Sequence, residues 1–172
     1  MPFARLSAAA LLSAPLLLPV SARAHVTLEV QQAQPNTTYR AVFRIPHGCD
    51  GAPTTRLTVR LPDGVTEARP MPKAGWTLRT TPRANATTPT AHGAAPPIAQ
   101  VIWEGGRLED AHYDEFIIRF RLPNTPGELL YIPTVQDCPD GKQAAWTEIP
   151  EPGRRITDYR MPAPAVRLLP RN

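Results

Sequence analysis

Proline recurs along the whole chain, 22 times in 172 residues, and leaves little room for long helices. Inside a helix it removes a backbone donor and clashes with the preceding turn, whereas strand edges and turns tolerate it. Between the prolines, apolar residues alternate with period two, the mark of half-buried strands. HVTLEVQ puts Val26, Leu28 and Val30 on one face and Thr27, Glu29 and Gln31 on the other. TYRAVFRIP sets Tyr39, Ala41, Phe43 and Ile45 against Arg40, Val42 and Arg44. TTRLTVRLP does the same with Leu57, Val59 and Leu61 against Arg56, Thr58 and Arg60. In EFIIRFRL, Phe116, Ile118, Phe120 and Leu122 alternate with Glu115, Ile117, Arg119 and Arg121, so the Glu115 carboxylate faces away from the aromatic core.

The remaining segments follow the same pattern. VTEARPMPK, broken by Pro70 and Pro72, reads as an edge strand. GWTLRTT and IAQVIWEGG read as strands, the second ending in a Gly-Gly turn, and ELLYIPTVQDC and QAAWTEIP supply two more. The proline-rich tail reads as extended edge segments, and residues 81–97, without apolar periodicity, as a surface loop. Eight or so short strands with turns such as Pro62-Asp63-Gly64 predict an all-β fold, an antiparallel β-sandwich.

Residues 1–24 carry Arg5, an apolar stretch interrupted by Pro15 and Pro19, and the small-x-small site Ala22-Arg23-Ala24. This is the pattern of a signal peptide cut after Ala24, too short and too broken for a membrane helix. The residue directly after the cut is His25 rather than a cysteine, and no later apolar run reaches spanning length. The expected product is therefore a single domain over residues 25–172, periplasmic or secreted, with no membrane anchor. Of 19 basic residues, Arg5 and Arg23 lie in the leader, leaving 17 against 15 acidic ones. That balance, with no basic run, gives no support to nucleic-acid binding.

Candidate chemistry is sparse. Cys49 and Cys138 are the only cysteines, and in an oxidising compartment such a pair is most simply a disulfide. The alternative joins His47, Cys49 and Cys138 in a metal site, though without C-x-x-C spacing. No serine follows Ser21, and neither G-x-S-x-G nor H-E-x-x-H occurs, so the common hydrolytic constellations are missing. The cut after Ala24 would leave His25 at the mature N-terminus. Its amine and imidazole Nδ1 can close a chelate ring on a metal, and nitrogen donors of this kind suit Cu(II). The plainer reading makes His25 merely the residue after the cut. Glu115 is either an oxygen ligand or an exposed strand residue balancing Arg119 or Arg121. His112 would point away from Glu115 within one strand, and His47 and His92 read as solvated. Trp76, Trp103 and Trp146 read as core or rim aromatics, although a tryptophan beside copper can exclude water.

The stretches AHVTLE, FRIPHGCDGAPTTRLTVRLPDGV, ARPMPKAGWTLRT, VIWEGG, HYDEFIIRFRLP, LYIPTVQDC and AWTEIP, taken in order, resemble the YcnI-like family of exported bacterial copper-binding proteins. The resemblance implies an immunoglobulin- or cupredoxin-like β-sandwich that binds Cu(II) through a brace made by one N-terminal histidine. It implies His25 as the brace, Glu115 as the carboxylate completing the coordination, and Trp146 as the tryptophan beside the metal. It further implies a non-enzymatic metallochaperone or copper carrier, working with other exported copper chaperones or a membrane copper transporter. Some relatives carry a C-terminal membrane anchor, and none is expected here. Two other functions remain open: a histidine-brace copper oxidase resembling lytic polysaccharide monooxygenases, which needs a second ligating histidine, and a metal-free module binding an envelope component.

Overall fold

The computed structural model describes residues 25–84 and 96–170. The expected leader with its cleavage site, and His92, lie outside them. The alternating stretches become strands: β1 (Thr27–Leu28), β2 (Gln32–Ala33), β3 (Thr38–Ile45), β4 (Thr54–Arg60), β5 (Thr66–Pro70) and β6 (Thr77–Pro82). After these come β7 (Ile98–Leu108), β8 (Asp114–Arg121), β9 (Leu129–Tyr131), β10 (Thr134–Asp137), β11 (Gln143–Trp146) and β12 (Ala165–Leu168). One sheet has the order β1-β3-β8-β5, a second β11-β10-β4-β7-β6, and a small third β2-β12-β9. Among the described strand pairs only β2 with β12 is parallel, and an isolated parallel bridge joins Glu148 to Pro162. The predicted antiparallel β-sandwich is what the chain forms.

The two larger sheets close on the residues that the alternation assigned inward. Ala41, Phe43, Ile45, Phe116, Ile118 and Phe120 from the first meet Leu57, Val59, Val101, Trp103 and Trp146 from the second in one buried cluster. Each such side chain contributes about 1.5–3 kcal/mol when fully removed from water. Trp103 stands edge-on to Phe116, with ring centroids 5.3 Å apart. Its indole N–H donates to the Met71 carbonyl at 3.1 Å, so the wedge between the sheets is also satisfied as a donor. The predicted disulfide joins Cys49 and Cys138, with Cα atoms 6.1 Å apart.

Three expectations are corrected. Gly105-Gly106 is no turn, for β7 runs through it to Leu108. The register against β4 shifts there, Thr54 facing Leu108 and Arg56 facing Glu104. Gly105, at φ +77°, absorbs the resulting bulge in a conformation that costs glycine little. Val30 does not continue the inward face of β1. The strand ends at Leu28, and Val30 is 50% exposed, its carbonyl accepting the Tyr39 hydroxyl. Burial, aided by the negative charge of Glu29, pushes that tyrosine pKa up to about 12. The tail, finally, is more than edge segments. Strand β12 lies between β2 and β9, and its Val166 and Leu168 are fully buried.

Gly106 has a separate, steric role. A Cβ there would lie 2.2 Å from two ring carbons of Trp76, whose indole packs edge-on against Phe116 at 5.1 Å. The substitution G106A must push that ring off the core. It is expected to destabilise the domain by about 1–3 kcal/mol, the usual cost of overpacking. Urea unfolding followed by tryptophan fluorescence would check this, an unchanged midpoint contradicting the close packing.

Candidate metal centre

The region of interest is built around the indole of Trp146. This residue ends β11 and is only 2% exposed. A buried indole N–H needs an acceptor, and it finds one in Gln136 Oε1 at 2.7 Å. Gln136 is itself fully buried on β10. Its Nε2 donates to Thr54 Oγ1 and to the His47 carbonyl, both at 2.8 Å. One amide thus satisfies a partner on each of three other segments.

His25 reaches this indole from the start of the described chain. Its ring meets Trp146 edge-on, centroids 5.5 Å apart and planes at 79°. It also lines a cleft of about 550 Å³ together with Tyr131 and Ile156. In the chain as translated, the His25 nitrogen is a peptide amide joined to Ala24. The amine of a brace exists only after cleavage.

Glu115 lies elsewhere. Its position on β8 gives it the outward face that the alternation predicted, while Phe116 and Ile118 turn inward. Its carboxylate accepts the Tyr113 hydroxyl and stands 3.6 Å from Arg44 Nε. The Tyr113 pKa is raised by loss of hydration, by that hydrogen bond and by the carboxylate's charge, with Arg44 pulling the other way. Arg44 also pairs with Glu29 at 3.2 Å. Thr27 faces Arg44 and Arg44 faces Glu115, so one whole strand separates β1 from β8. No described hydrogen bond or ion pair joins His25 to Glu115. Among the described residues, no three His, Cys, Asp or Glu side chains gather closely enough to hold a metal. A brace takes two donors from one residue, so it does not require such a trio.

His112 precedes β8 and sits in a turn, its N–H donating to the Glu109 carbonyl at 3.0 Å. His112 therefore lies outside the strand that carries Glu115. His47 is not merely solvated. Its ring instead stands edge-on to Trp146 with centroids 6.4 Å apart. A signal for this lay in the sequence. His47 and Gln136 each stand two residues before a cysteine, and the predicted bridge already required the two positions to be neighbours.

With this geometry in place, a family model described as a domain of unknown function, DUF1775, matches residues 25–168. The chain belongs to the DUF1775 family. The YcnI-like resemblance is thus a resemblance within DUF1775. The match opens on His25 itself. The crystal structure of an uncharacterized protein from Nocardia farcinica, which reveals an immunoglobulin-like fold, is similar to this DUF1775 chain. Identity is 27% with a TM-score of 0.66, over 84% of this chain and 98% of that one. Comparison with curated proteins yields no match.

The polar network makes a direct stability prediction for this DUF1775 domain. Replacing Gln136 by leucine keeps the volume roughly constant but strips partners from the Trp146 N–H, the Thr54 hydroxyl and the His47 carbonyl. The Trp146 N–H and the Thr54 hydroxyl are buried, and buried groups that lose a partner cost about 1–3 kcal/mol each. Q136L is expected to lose about 2–4 kcal/mol in equilibrium unfolding, and a neutral result would mean that the network carries little of the stability.

Proposed function

We propose that this DUF1775 protein is exported, loses residues 1–24, and binds Cu(II) through its new N-terminus as a carrier or metallochaperone of copper homeostasis. The observation that carries the reading is the seat of His25. The first residue after the small-x-small site, and the first of the family match, rests against a buried tryptophan rather than trailing in solvent. A chelating residue whose ring is already held loses less freedom on binding than one on a frayed end.

In this reading copper is cargo, and the chain's residues do three things. His25 supplies two nitrogens, its α-amine and its imidazole Nδ1, which together form the chelate. Glu115 supplies an oxygen once its side chain turns from Arg44 and Tyr113. Trp146 walls one side of the imidazole and limits water there. The partners that fit are other exported copper chaperones or a membrane copper transporter, since a carrier must be loaded and unloaded. Binding rather than catalysis is the function proposed.

Protons compete for both nitrogens. An α-amine titrates near about 8, and both nitrogens must be deprotonated to ligate. Affinity is therefore expected to fall at least about tenfold per pH unit below the amine pKa. The test is Cu(II) titration, followed by electron paramagnetic resonance, on protein beginning at His25. Adding one residue before His25 is expected to abolish tight binding, and E115Q to weaken it. Equal affinity with and without the extra residue would remove the brace from the proposal.

A further inference from the structure

The indole that seats His25 also seats His47, with ring centroids 5.5 Å and 6.4 Å from it respectively. Strand register brings the two backbones together as well. Thr27 faces Arg44 and Leu28 faces Phe43. His25 stands two residues before Thr27 and His47 three residues after Arg44, so the two lie at the same end of this strand pair. The amine that cleavage would create thus arises at the end of the pair that also carries His47, and both rings meet the same indole.

We propose that His47 is a further Cu(II) ligand, binding through Nε2, so that two residues deliver three nitrogens to the ion. These are the His25 amine, the His25 Nδ1 and the His47 Nε2. The inference rests on the reading of His25 as a copper brace and adds a donor that the brace alone lacks. Cu(II) favours tetragonal sites rich in nitrogen, and a single histidine fills only half of such a plane. The arrangement also dispenses with a cluster of three ligating side chains.

The tautomer is suitable. His47 Nδ1 lies 2.7 Å from the Gly48 carbonyl oxygen. A carbonyl only accepts, so Nδ1 carries the hydrogen, and in the neutral ring Nε2 is the nitrogen with the lone pair. A second nitrogen bonded to a backbone carbonyl is the usual orienting contact for a ligating imidazole.

The loop that presents His47 is rigid. Gln136 holds the His47 carbonyl at 2.8 Å, and the Gly48 N–H donates to Asp110 Oδ1 at 3.1 Å. Cys49 and Ala52 exchange backbone hydrogen bonds at 2.8 and 3.1 Å, and Cys49 is bridged to Cys138. A Cβ on Gly48 would lie 2.0 Å from the Ala52 carbonyl oxygen, so only glycine fits there. Such fixing is what a metal ligand requires. Glu115, by contrast, stands beyond β3 from His25.

The test uses processed protein starting at His25, with ¹⁵N-labelled histidine and one equivalent of Cu(II), examined by pulsed electron paramagnetic resonance. Wild-type protein is expected to show two inequivalent imidazole couplings, and H47Q one, with affinity at least about tenfold weaker. The wild-type spectrum counts imidazoles without any substitution, so the result stands even if H47Q folds poorly. A single imidazole coupling in wild type, or two that persist in H47Q, overturns the assignment of His47. If that same protein still binds copper far more tightly than a free peptide of its first residues, the brace survives and only His47 is lost. Binding no tighter than that peptide defeats both.

Discussion

A single buried amide holds together the end of the sandwich where His25 lies. Gln136 is fully enclosed, and its two polar atoms reach an indole, a hydroxyl and a backbone carbonyl at 2.7–2.8 Å. In a low-dielectric interior such a network rigidifies strongly when every member is paired, and is a liability when one is not. Here all three partners come from different segments: β11, β4 and the loop after β3. The amide therefore sets where the indole stands, and the indole sets where both histidine rings rest. An apolar side chain in its place could fill the volume but could not specify the orientation of Trp146.

The disulfide acts on the same region from the other side. It spans 89 residues of sequence, so in chain-entropy terms it restrains the unfolded ensemble by a few kcal/mol, about 4 for loops of this size. Its placement has a local consequence that its energy does not. Cys49 follows His47 by two positions and Cys138 follows Gln136 by two. Closing the bridge therefore clamps the donor amide to the carbonyl that it holds. Fold stability and site geometry share one covalent link.

Much of this was legible in the residues. The alternation of Tyr39, Ala41, Phe43 and Ile45, and of Phe116, Ile118 and Phe120, identified the inward faces because a pleated strand has no freedom to reorder its sides. The outward placement of Glu115 followed from the same rule. The failures have equally physical causes. Gly105-Gly106 looks like a turn, yet glycine also permits a bulge within a strand, and Gly106 was needed to admit the Trp76 ring. Val42 sits on the outward face as expected but is fully buried. It lies opposite Ile117, with Arg40 and Arg44 two residues to either side, and long basic side chains can cover apolar neighbours. The central place of β12 was hidden because its partners, β2 and β9, are each only two or three residues long. The meeting of His25, His47 and Trp146 is a tertiary fact. No local pattern encodes it, though the cysteine spacing hinted at half of it.

The charges around Glu115 bear on whether a carboxylate in that position can serve a metal at all. Arg44 stands between two acids, Glu29 at 3.2 Å and Glu115 at 3.6 Å. All three side chains remain more than a third exposed or close to it, and pairs so hydrated typically contribute about 0–1 kcal/mol. If Glu115 turned away, Arg44 would keep Glu29, so no isolated charge would be left behind. The separation is harder to overcome. Arg44 occupies the strand position between Thr27 and Glu115, and a ligand from Glu115 must reach past that guanidinium. His47 lies in the loop just after β3, and β3 pairs directly with β1, the strand that follows His25. Electrostatics therefore leaves Glu115 free to move, while topology favours the imidazole.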